Sequence, residues 1–181
     1  MSGTMKSPWI IHYDASSCNG CDIEVLAALA PKYDAERFGV VNTGNPKHAD
    51  VFLVTGSVNE RNIHVVRQIY EQMLEPKVVV ACGACACTGG IFSECYNTLG
   101  GVEKAIPVDI YVPGCAVRPE ALIDAVIQGI GVLEEKRKAI KDGTYEPPAM
   151  PKLPTAASKV VDGSSVLEAY KVERGDEEVD Q

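Results

Sequence analysis

Cysteines are the residues of this 181-residue chain whose type and spacing point most directly to chemistry. Cys18 and Cys21 form a CNGC pair, and five more cysteines follow at positions 82, 85, 87, 95 and 115. Thiolates bind metals and act as nucleophiles, whereas an odd total disfavours a framework of disulfides alone. The first residues lack the pattern of a secretory signal, so we expect a reducing compartment in which thiols serve mainly as metal ligands.

The elements that must position these thiols are short β-prone runs alternating with helical patterns. Strands are predicted at residues 9–13, 38–42, 51–55, 77–82 and 108–112, and helices at residues 22–30, 60–74 and about 119–138. The strands are nearly continuous apolar runs, as is typical of parallel strands buried on both faces. We therefore predict an α/β protein with a flavodoxin-like parallel sheet covered by helices on both faces.

In such a sheet the carboxyl ends of the strands share one edge, where ligands bind. Six cysteines fall at or after a predicted strand end: Cys18, Cys21, Cys82, Cys85, Cys87 and Cys115. Single cysteines scattered over glycine-rich loops favour an iron–sulfur cluster, whose corners take ligands from several directions. Two alternatives stay open at this point, a zinc site, which usually takes a second local CxxC, and thiols with only a structural role.

The overall composition excludes some classes of partner. A formal net charge of -8 argues against nucleic-acid binding, which requires a basic surface. The apolar runs are shorter than the roughly 20 residues that span a bilayer, so any membrane contact is expected to go through partner subunits.

The composition changes near Thr144, where a proline-rich stretch leads into a polar, acidic end. We predict one iron–sulfur domain at residues 1–143, followed by a linker and extended C-terminal tail at residues 144–181. The tail is interpreted either as a solvated end or as an arm that folds onto a partner.

Three segments resemble a known family: residues 18–24 (CNGCDIE), the Gly83-Ala84-Cys85 block followed by Thr88-Gly89-Gly90, and residues 106–115 (IPVDIYVPGC). Together they resemble the small subunit of nickel–iron hydrogenases and its relative, the 20 kDa cluster-bearing subunit of respiratory complex I. The resemblance covers roughly residues 8–135.

Within that superfamily the complex I subunits have two adjacent cysteines, whereas the spaced pair Cys18 and Cys21 is similar to hydrogenases. Residues 7–9 (SPW) and 94–97 (ECYN) resemble energy-converting, membrane-bound hydrogenases of the Ech type. A complex-I-like NADH/quinone oxidoreductase subunit is the alternative.

The resemblance implies that Cys18, Cys21, Cys85 and Cys115 bind one proximal 4Fe-4S cluster. The chain would then be an oxidoreductase subunit that relays electrons between a nickel–iron site on a partner large subunit and ferredoxin-linked clusters, coupled to ion translocation. The implied partners are the hydrogenase large subunit, a ferredoxin-like polyferredoxin subunit and integral membrane subunits. The implied location is peripheral, on the cytoplasmic face of the cell membrane.

The role of Glu24 and the identity of the third cysteine ligand each have more than one interpretation. Glu24 matches a family position near the partner's active site, which implies proton transfer, but an acid in the first turn of a helix is also favoured by the helix dipole alone. Cys85 is taken as the third ligand because it occupies the matching place in the Gly-x-Cys block, with Cys87 or Cys82 as replacements. Cys82, at a strand end, is interpreted as a small buried apolar group and Cys95 as a structural thiol.

Overall fold

The computed structural model describes residues 7–152 and contains a five-stranded, wholly parallel sheet. The strands of this sheet are β1 (Trp9–Asp14), β2 (Val41–Asn42), β3 (Val51–Thr55), β5 (Val78–Cys82) and β7 (Ile110–Val112). Two further short strands, β4 (Val58–Asn59) and β6 (Thr98–Gly100), form a separate antiparallel pair. The helices are α1 (Gly20–Leu29), α2 (Ile63–Gln72), α3 (Ala84–Thr88) and α4 (Pro119–Lys141). The strand order β2-β1-β3-β5-β7 is the flavodoxin-like order, which confirms the predicted fold class.

The two central strands explain why the sheet needs cover on both faces. Every residue of β3 and of β5 is buried, so side chains from both faces of these strands must pack against helices. Val66 of α2 and Ala86 of α3 lie in the core on one face, and Val25 of α1 and Leu122 of α4 lie in the core on the other. Helices therefore cover both faces, as predicted.

The predicted strand at residues 38–42 is wrong in its first half. Ala35–Phe38 form a short 3-10 helix, Gly39 follows with a φ of 88°, and only Val41–Asn42 pair with β1. The left-handed conformation at Gly39 cannot continue a strand, so the pairing begins only after it. The β-branched Val40 and Val41 suggested a longer strand than the backbone allows.

Other differences concern element ends and short elements. α2 begins at Ile63 rather than at residue 60, because the Asn59 side chain accepts hydrogen bonds from the backbone of Arg61 and Asn62 and holds a turn there. α3 and the antiparallel pair of β4 with β6 were not predicted. Each of these elements has five residues or fewer, which is too short for a recognisable periodicity.

α1 and α4 do not close completely over their face of the sheet. An apolar cavity of about 250 Å³ remains between them, with Leu29, Ile123 and Ile127 among its lining residues.

Across residues 7–152, no helix is both long enough and apolar enough to cross a bilayer.

The chain after α4 stays against the domain as far as the structure describes it. The Tyr145 hydroxyl donates to the Glu75 carboxylate at 2.7 Å, Met150 packs on the core, and the Arg67 guanidinium donates to the Pro151 carbonyl. The predicted acidic tail lies outside the described residues from position 153 onward, and the division at residue 143 stays a prediction.

Candidate metal centre

The register of the sheet brings four strand ends level at the carboxyl edge. Asp14 of β1 pairs with Thr55 of β3, Thr55 with Cys82 of β5, and Cys82 with Val112 of β7. The loops after β1, β5 and β7 therefore leave the sheet from one row. These three loops carry Cys18 and Cys21, then Cys85, then Cys115, so the topology directs all four toward one edge.

The loop after β1 is held by its own backbone and by β3. The Ala15 amide donates to the Thr55 carbonyl at 2.8 Å, and the Ser17 amide donates to Asp14 Oδ1 at 2.5 Å. Gly56, at a φ of 78°, presses against this loop so closely that a Cβ there would collide with the Ser17 backbone. Cys18 is consequently presented at the exposed surface, and Cys21 is half-buried in the first turn of α1.

The loop after β5 is tied to the loop after β7. The Gly83 amide donates to the Val112 carbonyl and the Ala84 amide to the Gly114 carbonyl, both at 2.8 Å. Gly83 also lies directly beside the first cysteine pair, since a Cβ on it would stand 2.5 Å from Cys21 Sγ. The absence of a side chain at residue 83 thus leaves room for the Cys21 sulfur.

The loop after β7 reaches back to Cys21. The Val117 backbone amide donates a hydrogen bond to Cys21, while Val117 itself is buried in the core. Cys115 is exposed, and the Cys115–Ala116 peptide bond is cis. Three loops from different parts of the chain therefore meet at Cys21.

The thiols of these loops are close enough to affect one another's ionisation. Burial raises the pKa of Cys21, and the nearby charges of Asp22, Cys18 and Cys85 raise that pKa further, against the lowering effect of the Val117 amide. Burial likewise raises the pKa of Cys85, with added contributions from Cys115 and Cys18. These effects on pKa link Cys18, Cys21, Cys85 and Cys115, which lie on three different loops.

The remaining cysteines are placed differently. Cys82 is fully buried in the core with its Sγ 3.7 Å from the Val80 carbonyl, and burial raises its pKa. Cys87 is half-buried on α3, and its Sγ lies 3.6 Å from the Ala81 carbonyl. Burial raises the pKa of Cys87, against a backbone hydrogen bond from Val112, and the nearby Cys21 raises it further. Cys95 is exposed in the segment between α3 and β6.

The space beside the sulfur atoms decides what the site can accommodate. A Cβ on Gly83 would stand 2.5 Å from Cys21 Sγ, and one on Gly90 would stand 3.2 Å from Cys85 Sγ. Across residues 7–152, no three His, Cys, Asp or Glu side chains form a group that could hold a single metal ion. A donor set of four cysteines on three loops, with glycines beside two of the sulfurs, fits a polynuclear iron–sulfur cluster.

Glu24, the residue considered for proton transfer, lies close in sequence to the first cysteine pair. Glu24 is half-buried on α1, on the same helix as Cys21 and between the exposed Ile23 and the buried Val25.

Asp22 is a polar residue whose role could not be recognised from the sequence. It joins residues that are far apart in the chain, with His12 Nε2 2.9 Å and Thr55 Oγ1 2.5 Å from its Oδ1 atom. Burial alone would raise its pKa, but the hydrogen bonds from Ser17 and Thr55 and the nearby His12 outweigh burial and lower that pKa below its ordinary value. The only sequence signal was an acid directly after the CxxC pair.

Comparison with known proteins places the chain among redox subunits. The family model described as NADH ubiquinone oxidoreductase, 20 kDa subunit, matches residues 18–129. A probable membrane-bound hydrogenase subunit of Pyrococcus furiosus is 49% identical over 136 residues, which cover 75% of this chain and 80% of that protein. An NADH-quinone oxidoreductase subunit of Symbiobacterium thermophilum is also 49% identical, over 142 residues that cover 78% of this chain and 74% of that one.

A solved structure supports the same placement. A chain of the membrane-bound sulfane sulfur reductase, an archaeal respiratory membrane complex, superposes with a TM-score of 0.65 at 30% sequence identity. The superposition covers 92% of this chain and 91% of that chain.

Proposed function

The chain belongs to the family of the 20 kDa subunit of NADH ubiquinone oxidoreductase and is an oxidoreductase subunit, and from this premise we propose that it is the electron-transfer small subunit of a membrane-bound nickel–iron hydrogenase. One observation carries the proposal. Three loops at the carboxyl edge of the sheet direct Cys18, Cys21, Cys85 and Cys115 to one place. The spaced CxxC form of the first pair supports the hydrogenase branch of the family.

In the proposed subunit these four cysteines hold one 4Fe-4S cluster. Such a cluster, when bound, accepts and releases one electron at a potential set by its surroundings. The chain's own residues supply the thiolates, the backbone amides around them and a partly dry setting, since Cys21 and Cys85 are half-buried. Because burial raises the pKa of both thiols, loading with iron must displace protons from them.

The third ligand is tested by comparing Cys85 with Cys87. The Cys85→Ser chain is expected to lose the electron paramagnetic resonance signal of the reduced cluster, because the Cys85 thiol is close enough to Cys115 and Cys18 for both to raise its pKa. The Cys87→Ser chain is expected to keep that signal, because the Cys87 sulfur lies 3.6 Å from the Ala81 carbonyl and only Cys21 among the four proposed ligands affects its pKa. Spectra of the two variants, recorded at equal protein concentration with iron content, decide the point. The opposite pattern would assign the ligand to Cys87.

The surface around these cysteines is suited to a partner protein. Large apolar side chains are exposed on α1 and on the segment after Gly90, including Ile91 at 88% and Tyr96 at 94% of their accessible area. Contiguous apolar patches mark interaction surfaces, and we propose that these side chains form one. We assign the hydrogenase large subunit, with its nickel–iron site, to this surface. The polyferredoxin and the integral membrane subunits complete the proposed assembly, peripheral to the cytoplasmic face of the membrane.

Glu24 is proposed to transfer protons between this chain and the large subunit. Its replacement by glutamine keeps the size of the side chain but removes the titratable group. Hydrogen turnover by the assembled complex is therefore expected to fall by about 10²-fold, the lower end of general acid–base contributions. The cluster signal should stay intact. Glu71→Gln, an exposed change on α2 across the sheet, is the matched control. Turnover equal to that of the control would remove Glu24 from any proton path.

A complex-I-like quinone reductase subunit is the second candidate function. The equal identity to a quinone oxidoreductase subunit and to a hydrogenase subunit favours keeping it. The two candidates differ in what the purified assembly contains. Anaerobic purification of the native complex should yield nickel together with hydrogen production from a reduced low-potential donor. An assembly that reduces quinone and contains no nickel would instead support a quinone reductase subunit.

A further inference from the structure

Asp22 contacts three separate parts of the chain. Its carboxylate accepts hydrogen bonds from the Ser17 hydroxyl and from the Thr55 hydroxyl, the latter at 2.5 Å, and His12 Nε2 lies 2.9 Å away. The Asp22 side chain is only 14% exposed, and Thr55 is fully buried. These side chains form a largely buried polar cluster beside the first cysteine pair.

We propose that Asp22 is a positioning residue, which closes a clamp around the Cys18–Cys21 loop and sets the geometry of the metal centre there. The name Asp22 clamp is used below for Asp22, Ser17, Thr55 and His12. The inference rests on the proposed function, in which Cys18 and Cys21 are ligands. It concerns how these two ligands are held rather than which residues they are.

The clamp brackets both cysteines. Ser17 directly precedes Cys18 and Asp22 directly follows Cys21, so their hydrogen bond closes the two ends of the loop on each other. The Ser17 hydroxyl also accepts from the Asn19 amide at 3.0 Å, which fixes the inside of the loop.

The contacts of Asp22 with Thr55 and His12 anchor the loop to the sheet. His12 belongs to β1 and Thr55 ends β3, and these strands are paired neighbours in the sheet. Both are therefore rigid points of attachment.

The loop requires such an anchor because its backbone conformation is unfavourable without one. Ser16 has a φ of 64° and Asn19 a φ of 65°, both in the left-handed region that non-glycine residues rarely adopt. Residues in that region persist only when surrounding contacts hold them there. Hydrogen bonds from Asn59 and Asn62 hold the Ser16 hydroxyl, and the Asp22 clamp holds the part of the loop nearest the cysteines.

The test removes the hydrogen bonds of the clamp and leaves Asp22 itself in place. Thr55→Val keeps the shape of the side chain but removes its hydroxyl, and Thr55→Ser restores the hydroxyl. Ser17→Ala removes the hydrogen bond between the two ends of the loop. Asp124→Asn, an exposed change on α4, is the control. The rate of iodoacetamide alkylation at each cysteine is measured on the metal-free full chain by peptide mass spectrometry, and the resonance spectrum is measured after iron and sulfide are loaded.

We expect Thr55→Val and Ser17→Ala to make alkylation of the half-buried Cys21 about tenfold faster, as for the loss of one hydrogen bond to a charged group. Cys95 should react at the wild-type rate in both variants, and Thr55→Ser should recover most of the protection. The loaded variants should show a broadened resonance spectrum. Wild-type alkylation rates in both variants would overturn the clamp.

The clamp can still be tested if the Thr55→Val chain unfolds or if the wild-type chain binds no iron. If the buried Thr55→Val change unfolds the chain, as seen by circular dichroism, the partly exposed Ser17→Ala change decides alone. If the wild-type chain takes up no iron, the proposed function fails, whereas the alkylation rates of the metal-free chain still support or reject the clamp.

Discussion

Replacing Cys115 with serine is expected to abolish the resonance signal of the reduced chain and to lower bound iron far below about four atoms per chain. Cys115 is the only cysteine on the loop after β7, and its thiol lies near that of Cys85. A serine hydroxyl ionises far less readily than a thiol and is a poor ligand for iron, so the cluster would lose one of its corners. Iron analysis and low-temperature spectra of the anaerobically reduced chain measure the effect.

The matched control for Cys115→Ser is Cys95→Ser. Cys95 is equally a surface thiol, but it lies in the exposed segment between α3 and β6. Its replacement should leave iron content and spectrum unchanged, and Cys18→Ser should behave like Cys115→Ser. A Cys115→Ser chain that retains full iron and an unaltered spectrum would remove Cys115 from the ligand set. A colourless wild-type protein that contains zinc would reject the cluster itself.

The Gly83→Ala substitution is expected to have a large effect although it leaves all cysteines in place. Gly83 has a φ of 90° and a ψ of 162°, a region that is essentially restricted to glycine and costs another residue about 1–3 kcal/mol. The added Cβ would stand 2.5 Å from Cys21 Sγ, so either the sulfur or the backbone must move. The backbone at this point is held by the Gly83 and Ala84 amides, which donate to the loop after β7.

We therefore expect the Gly83→Ala chain to lose the cluster and to unfold at lower urea concentration, with a loss of about 3 kcal/mol or more in the metal-free chain. Gly131→Ala is the matched control, because Gly131 is exposed on α4 with nothing within 4 Å of an added Cβ. That change should stabilise the helix by about 1 kcal/mol. A Gly83→Ala chain with wild-type stability and iron content would show that the space beside Cys21 is not required.

Burial raises the pKa of Cys21 and of Cys85, so these thiols are largely protonated at neutral pH. In the proposed cluster site, binding of iron would favour the thiolate forms and release their protons. Iron uptake by the proposed site is therefore expected to be linked to proton release.

The sequence by itself determined the fold class and the order of the central elements. The apolar runs that became β1, β3 and β5 are local patterns, and the helical periodicity of α2 and α4 is local as well. The placement of cysteines after strand ends could be predicted for the same reason, because a parallel sheet brings those ends to one edge whatever the details of the loops. The family resemblance added which cysteines to expect as ligands, and family membership is now confirmed.

Only the tertiary structure decided how the loops fit together. The approach of Gly83 to Cys21, the Val117 amide on the same sulfur and the contact of Asp22 with Thr55 each join residues that lie more than 30 positions apart. The short β2 was likewise misjudged, because the left-handed turn at Gly39 overrides a locally β-prone run. Such features depend on the register of the sheet and on side chains meeting across it. A local pattern along the chain records what each segment prefers, but not which distant segment will lie against it.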